Sequence, residues 1–384
     1  MESLLEPLSE ADATIQSMED ASPAKWHAAH TTWFWETFLL RDRLDGYTLH
    51  DERFPFLFNS YYEAEGDRIL RGKRGLISRP TVNEVVGWRH AVDEAMEQML
   101  TREDCAELIA LGVAHEQQHI ELLLTDIKHA FSKNPLGPPM WDEMPTKAKK
   151  QPDGWTEHPG GIAMIGHQGE GFAFDNEGPV HRVLLEPFAL SQRLVTSGEW
   201  AEFIADGGYD DHRLWLSDAW AWLQRCNITA PLYWRDEEHF THSGWQERDP
   251  DAPVSHISYY EADAFASWAG ARLPTEFEWE AIAQGSDPAG GNQLDKAAPP
   301  APRGTSSLFG DVWNFTRSGY LPYPRFQPAE GAVGEYNGKF MAGQWVLKGA
   351  SCATVRGHSR ASYRNFFYPH QRWQFTGLRL ARDV

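Results

Sequence analysis

The run LGVAHEQQHIELLLTDIKHAF, residues 111–131, constrains the fold of this chain more than any other segment. At about 100° per residue, Leu108, Leu111, His115, His119, Leu122 and Leu123 share one stripe, so the run predicts a helix that turns two imidazoles, one turn apart, toward a buried seam. An earlier run, WHAAHTTWFWETFLL, carries a second helical period. There the same arithmetic groups His30 with Trp26, Trp33, Phe34 and Thr37 and leaves His27 toward the flank. A buried imidazole must satisfy both ring nitrogens, which core histidines do by hydrogen bonding and a metal site does by ligation. Three histidines converging from two helices favour a divalent metal held by His30, His115 and His119.

At 384 residues the chain exceeds one ordinary core and suits two domains. Its 41% hydrophobic content and 17 Trp exclude a disordered or fibrous chain. A formal net charge of -20 opposes nucleic acid and anionic membrane surfaces, which leaves small molecules as the expected partners. Cys105, Cys226 and Cys352 are far apart and lack CxxC spacing, so neither a disulfide framework nor a thiolate zinc site is expected. The N-terminus is acidic and no stretch approaches 18 apolar residues, which predicts a cytoplasmic protein.

Helical periodicity runs through residues 1–133, with Pro23 and Pro80 near expected helix starts. Residues 134–154, NPLGPPMWDEMPTKAKKQPDG, are rich in Pro and Lys, follow neither period, and read as a linker. Residues 155–384 break into short apolar segments between Gly and Pro, with a clear helix at YYEADAFASWAG behind the N-cap Ser258. The expected architecture is α+β, a helical bundle followed by a mixed domain. PAGGNQLDKAAPPAPRG reads as a mobile loop. The segment ERFPFLFNSYYEAEGDRILRGKRGLISRP is too aromatic and arginine-rich for an idle loop and is expected to line the site.

HEQQH also fits the HExxH zinc-protease pattern, in which Glu116 would be the general base. The extended pattern needs Gly at 122 and His at 125, where this chain has Leu122 and Thr125; Glu143 is a distant third ligand only in principle.

His30 and HEQQHIELLL, together with SPAKWHAAHTTWFWETFLL, FPFLFNSYYEA, PVSHISYYEADAFASWAGARLPTEFEWE, GDVWNFTRSGYLPYPRFQP, VGEYNGKF and YRNFFYPHQRWQFTGLRLAR, resemble in this order the sulfoxide synthases of ergothioneine biosynthesis. The resemblance implies a DinB-like four-helix bundle followed by a C-type-lectin-like domain shared with formylglycine-generating enzymes. Those enzymes use a close cysteine pair near the C-terminus, whereas no second cysteine lies near Cys352 in the sequence, so the fold is shared without the chemistry. It further implies a non-haem Fe(II) enzyme that joins a cysteine-type thiol to the imidazole carbon of hercynine with O2. Three neutral histidines leave the metal more cationic than the familiar triad of two histidines and a carboxylate, which suits an anionic thiolate.

The resemblance also assigns roles. Gln118 and Asn365 match positions that help bind the histidine-betaine, although periodicity alone would leave Gln118 a solvent-facing helix residue. Tyr61 and Tyr62 match a pair that supplies an active-site phenol in one branch, a group able to give a proton or hydrogen atom near O2. Where the γ-glutamylcysteine branch has an aspartate two residues after the asparagine, this chain has Phe367, preceded by Phe366. Free cysteine is therefore the expected donor, with Arg71 and Arg74 available for its carboxylate. Trp, Phe and Tyr are plentiful for a trimethylammonium group. Alternative readings are a zinc- or nickel-dependent thiol transferase of the DinB type, an ovothiol-type synthase acting on histidine, and a non-catalytic binding module.

Overall fold

Helix Ala24–Trp35 begins directly after Pro23, whose ring sets the backbone angle at the N-cap. All 12 of its residues are buried, so it has no solvent face and forms the centre of the helical region. The structure, a computed structural model, describes residues 1–329, 334 and 337–384. Val333, Glu335 and Tyr336 of the VGEYNGKF segment lie outside the described residues.

The chain forms two compact units. One comprises Met1–Trp141 and two short later segments; the other comprises most of Asp142–Val384. In the first unit the central helix continues as a π-helical turn, Glu36–Arg41, and packs against helices Val82–Met96 and Ala106–Lys133. Val82–Met96 is started by a capping box between Thr81 and Glu84, and buries Val85, Trp88, Val92 and Met96 on one stripe. Ala106–Lys133 buries every residue from Leu123 to Phe131. Gly112 lets it approach the central helix closely, since a Cβ there would stand 2.5 Å from Trp35 Cη2. The connection between the first two long helices holds the short helix Phe54–Phe58 and the 3-10 turns Glu63–Glu65 and Arg71–Leu76.

The second unit is built on strands β1 (Trp155–His158), β2 (Gly161–Ile165), β3 (His181–Leu185), β4 (Phe188–Ser191), β5 (Trp234–Arg235), β6 (Glu238–Thr241), β7 (Gly244–Glu247), β8 (Trp313–Gly319), β9 (Trp345–Lys348), β10 (Asn365–Phe367), β11 (Thr376–Gly377) and β12 (Ala381–Asp383). Its largest sheet has the order β10-β9-β8-β11, with β8 and β9 antiparallel and β11 parallel to β8. Capping boxes start helices Ser197–Ala205, Tyr259–Trp268 and Glu276–Ala283, the second at Ser258. Trp279 and Phe309 meet edge to face in the core, beside Phe188 and Leu190.

The expected mobile loop at residues 288–304 is held instead. Asp311 accepts from the Asn292 side chain and from the amide of Arg303, and Gln293, 5% exposed, donates to the carbonyls of Pro288 and Gly290. A buried carboxylate with backbone donors orders the segment, a device its Pro/Gly-rich composition conceals.

Candidate metal centre

The all-buried central helix and the long helix Ala106–Lys133 bring His30, His115 and His119 together, one ligand atom from each lying within 4.8 Å of the others. His30 donates from Nδ1 to the carbonyl of Phe58 at 2.5 Å, so its Nε2 lone pair is free to ligate. That Nε2 stands 3.2 Å from His115 Nε2. Two nitrogens each roughly 2.1 Å from one divalent ion at about a right angle lie about 3 Å apart, so the pair is spaced for a shared ion. His119 faces its Nδ1 to His27 Nδ1 at 2.9 Å, which leaves its Nε2 for the same ion.

The surroundings are apolar and aromatic. Trp26 stacks on His30 at 4.6 Å and 10°, Trp33 covers it at 5.3 Å, and Phe34 packs on His115 at 4.5 Å. Burial penalises the imidazolium form, holding His30 and His119 well below the ordinary histidine value and His115 at about 3. Mutual proximity of the rings adds to the effect at His30 and His119. All three are neutral at physiological pH and present lone pairs. A neutral three-imidazole donor set of this kind fits Fe(II), and suits Zn(II) and Ni(II) as well.

The HExxH reading meets a different geometry. Glu116 Oε2 accepts from Trp35 Nε1 and from Arg89 Nη1, each at 2.9 Å, and so serves as a structural anchor. Glu143 is exposed and contributes no ligand to the three-histidine group.

The aromatic, arginine-rich connection takes part directly. Phe58 supplies the carbonyl that orients His30, and Leu57 accepts from Trp26 Nε1 at 3.0 Å. Tyr62 is fully buried between Trp33 and Phe38, at 5.6 and 5.3 Å, and Tyr61 stacks on it with part of its surface open. Asn59 holds this turn, donating to the carbonyls of Tyr62 and Gly66 and accepting from the Tyr62 amide. The two candidate arginines separate. Arg71 is exposed, whereas Arg74 is 3% exposed, lies 3.4 Å over the Trp26 ring, and donates to Ser22 Oγ and Ser60 Oγ. Arg74 forms no ion pair with a carboxylate among the described residues, and its Nε has no partner. Gln118 is half-buried on the helix that carries His115 and His119.

Asn365, Phe366 and Phe367 are β10 of the second unit, half-buried and paired with Leu347, Val346 and Trp345. Phe366 stacks on Tyr320 at 4.1 Å and 10°, and Phe367 meets Trp373 edge-on. The strand is anchored by Arg364, which pairs with the buried Glu276 and lies 4.0 Å over Tyr323.

Two residues of the site escaped sequence reasoning. His27 is 2% exposed and not on a flank, because the helix that carries it is buried on every side. Asp126 accepts from His27 Nε2 at 3.0 Å and from the amide of Ser22 at 2.8 Å. Its position seven residues after His119 places it on the same helical stripe, a signal the sequence does contain.

Comparison with known proteins agrees with this architecture. Residues 1–123 match the model of the DinB superfamily, and residues 141–299 match that of the sulfatase-modifying factor enzyme 1-like domain. Hercynine oxygenase of Mycolicibacterium thermoresistibile is 33% identical over 97% of this chain and 90% of its own length. The hercynine oxygenase of Mycobacterium tuberculosis is 32% identical over 94% and 91% of the two chains, and that of Mycolicibacterium smegmatis 35% identical over 74% of each. With a DinB-superfamily region followed by a sulfatase-modifying-factor-like domain, and this identity over nearly its whole length, the chain belongs to the hercynine oxygenase family, in keeping with its resemblance to the ergothioneine sulfoxide synthases.

Proposed function

We propose that the protein is an Fe(II)- and O2-dependent sulfoxide synthase that joins the sulfur of cysteine to the imidazole C2 of hercynine. The reading is carried by one observation, three buried neutral imidazoles whose ligand atoms fall within 4.8 Å of one another on the helices of a hercynine oxygenase relative. Overall, thiol, imidazole C–H and O2 give the sulfoxide and water. Carbon–sulfur coupling and sulfur oxygenation each release two electrons, and O2 accepts all four, so no further reductant is required.

His30, His115 and His119 would hold the iron, which supplies the O2-activating chemistry when bound. The residues of the chain then have distinct tasks. The carbonyl of Phe58 and the Nδ1 of His27 fix which ring nitrogen of His30 and of His119 is presented. Trp26, Trp33 and Phe34 exclude water from the imidazoles. Arg74, a buried cation with two hydroxyl partners and no carboxylate in ion-pair contact among the described residues, takes the thiol substrate's carboxylate in bidentate fashion, with Arg71 at the surface adding attraction. Tyr61 and Tyr62 provide the phenol that gives a proton or hydrogen atom during coupling. Following the resemblance, Gln118 helps to bind hercynine and Asn365 is a second substrate-binding candidate, while Phe367, preceded by Phe366 where the γ-glutamylcysteine branch continues to an aspartate, favours cysteine over γ-glutamylcysteine.

The test is O2 uptake and product mass after anaerobic Fe(II) loading, with hercynine and either cysteine or γ-glutamylcysteine, and His119→Ala as control. A hercynine–cysteine sulfoxide formed only by the intact site is the expected result. Absence of O2 uptake with either thiol, together with thiol transfer by the zinc-loaded chain, would replace this reading by the thiol transferase.

A further inference from the structure

The three-histidine set lacks the carboxylate that completes the familiar iron triad, yet a carboxylate stands one imidazole away. Asp126 is 5% exposed and accepts hydrogen bonds from the Ser22 amide at 2.8 Å and from His27 Nε2 at 3.0 Å. The other nitrogen of His27 meets His119 Nδ1 at 2.9 Å. Both nitrogens of His27 are therefore engaged and neither is available to a metal, which excludes His27 as a fourth ligand. The protons have one arrangement compatible with ligation by His119. His27 donates from Nε2 to Asp126, His119 donates from Nδ1 to His27 Nδ1, and the Nε2 lone pair of His119 points to the ion. The reverse arrangement, with His119 protonated on Nε2, blocks the ligand atom.

We infer that Asp126 and His27 form a remote carboxylate for the metal centre, selecting the ligating tautomer of His119 and passing part of the carboxylate's negative character to that ligand through the intervening ring. The inference rests on the three-histidine metal reading above. Histidine ligands are commonly oriented by a carboxylate or carbonyl on the second ring nitrogen, which makes them stronger donors, and loss of such a partner costs about 10- to 100-fold in metal affinity. Here the support is asymmetric: His30 is held by a neutral carbonyl, while His119 is backed by a charged group at one remove. Both supporting residues are positioning residues, since neither touches the ion.

The experiment uses the full chain and Co(II) alone, a spectroscopic substitute for Fe(II), with affinity measured by chelator competition and the visible ligand-field bands recorded at saturation. His27→Phe removes the acceptor and the link to Asp126 together. His27→Asn places Oδ1 where Nδ1 stands, keeping the acceptor but breaking the link, and Asp126→Asn removes the charge and replaces one acceptor oxygen by a donor NH2. The expected order of affinity is wild type, then His27→Asn and Asp126→Asn about tenfold weaker, then His27→Phe up to about 100-fold weaker, with the Co(II) bands shifted in all three. Thermal melts of the metal-free proteins separate loss of fold, and the band position of the bound fraction is insensitive to how much protein is folded. Wild-type affinity and unshifted bands in the variants would overturn the remote carboxylate while leaving the metal site standing. A wild-type chain that binds no Co(II) would overturn the metal reading, and this inference with it.

Discussion

Replacing Arg74 by Met should make the protein more stable and a poorer catalyst at once. The guanidinium is almost wholly buried, and burial with the nearby Arg71 and Arg68 charges drives its pKa well below the ordinary arginine value, with Asp126 opposing. Taking such an ion out of water costs several kcal/mol. The Trp26 face at 3.4 Å returns about 2 kcal/mol, and the bonds to Ser22 and Ser60 about 1.5–3 kcal/mol each, while the unpartnered Nε costs roughly 1–3 kcal/mol. These contributions nearly cancel, so Met, similar in length and free of polar atoms, should raise the stability of the metal-free chain by about 1 kcal/mol, or roughly 2–4 °C in Tm. The same change removes the only buried partner proposed for the thiol substrate's carboxylate. At about 2–3 kcal/mol for a desolvated charge pair, the KM for cysteine should rise roughly 30- to 150-fold. Calorimetry of the metal-free protein and O2-uptake kinetics with varied cysteine measure the two effects. A variant that melts below the wild type and keeps its KM would show that Arg74 is a structural cation and refute the argument.

Tyr61→Phe and Tyr62→Phe should separate the candidate phenols, the functional one diverting O2 from the sulfoxide toward thiol oxidation, read as the ratio of sulfinate to coupled product. Phe367→Asp should raise kcat/KM for γ-glutamylcysteine relative to cysteine, and an unchanged ratio would remove this strand position from donor choice. Burial holds His129 at about 4 and His358 at about 3, whereas the unfolded chain protonates both near 6.5. The unfolded state therefore binds more protons below pH 6.5, so the stability is complete above that value and is lost as pH falls toward 4 and 3, by about 3 kcal/mol or more per residue. His129→Gln and His358→Gln should flatten this acid limb in urea titrations between pH 7 and 4. Gly112→Ala should destabilise the helical unit by about 1–3 kcal/mol, because its Cβ would meet Trp35 at 2.5 Å, and urea melts followed by Trp fluorescence would detect it.

The long helices of the first unit were legible because they are long enough to repeat their pattern. Ser258 is a start that capping chemistry makes visible in the sequence alone, and Pro80 marks the other, which Thr81 and Glu84 cap in the structure. The strands of the second unit were less so. β10 has three residues, too few for a period, and its place is set by pairing with β9 and by the Arg364–Glu276 ion pair, whose members are 88 positions apart. The loop at 288–304 reads as mobile by composition, yet the buried carboxylate of Asp311 orders it from outside the segment.

The candidate ligand set lay in the sequence, since the 3.6-residue period alone aligns His115 with His119 and sets His30 among the apolar residues of its helix. What periodicity could not say is how many sides of a helix are covered. The Ala24–Trp35 helix is enclosed all round, so His27 is buried against His119 and not left at the flank. Nor could local sequence choose among the arginines, because Arg74 rather than Arg71 is buried only through the tertiary approach of Trp26, Ser22 and Ser60. Amphipathic pattern specifies which side chains face a core, a short-range property of the chain. Which polar groups meet inside that core depends on helices brought together across tens of residues, and only the packed structure decides it.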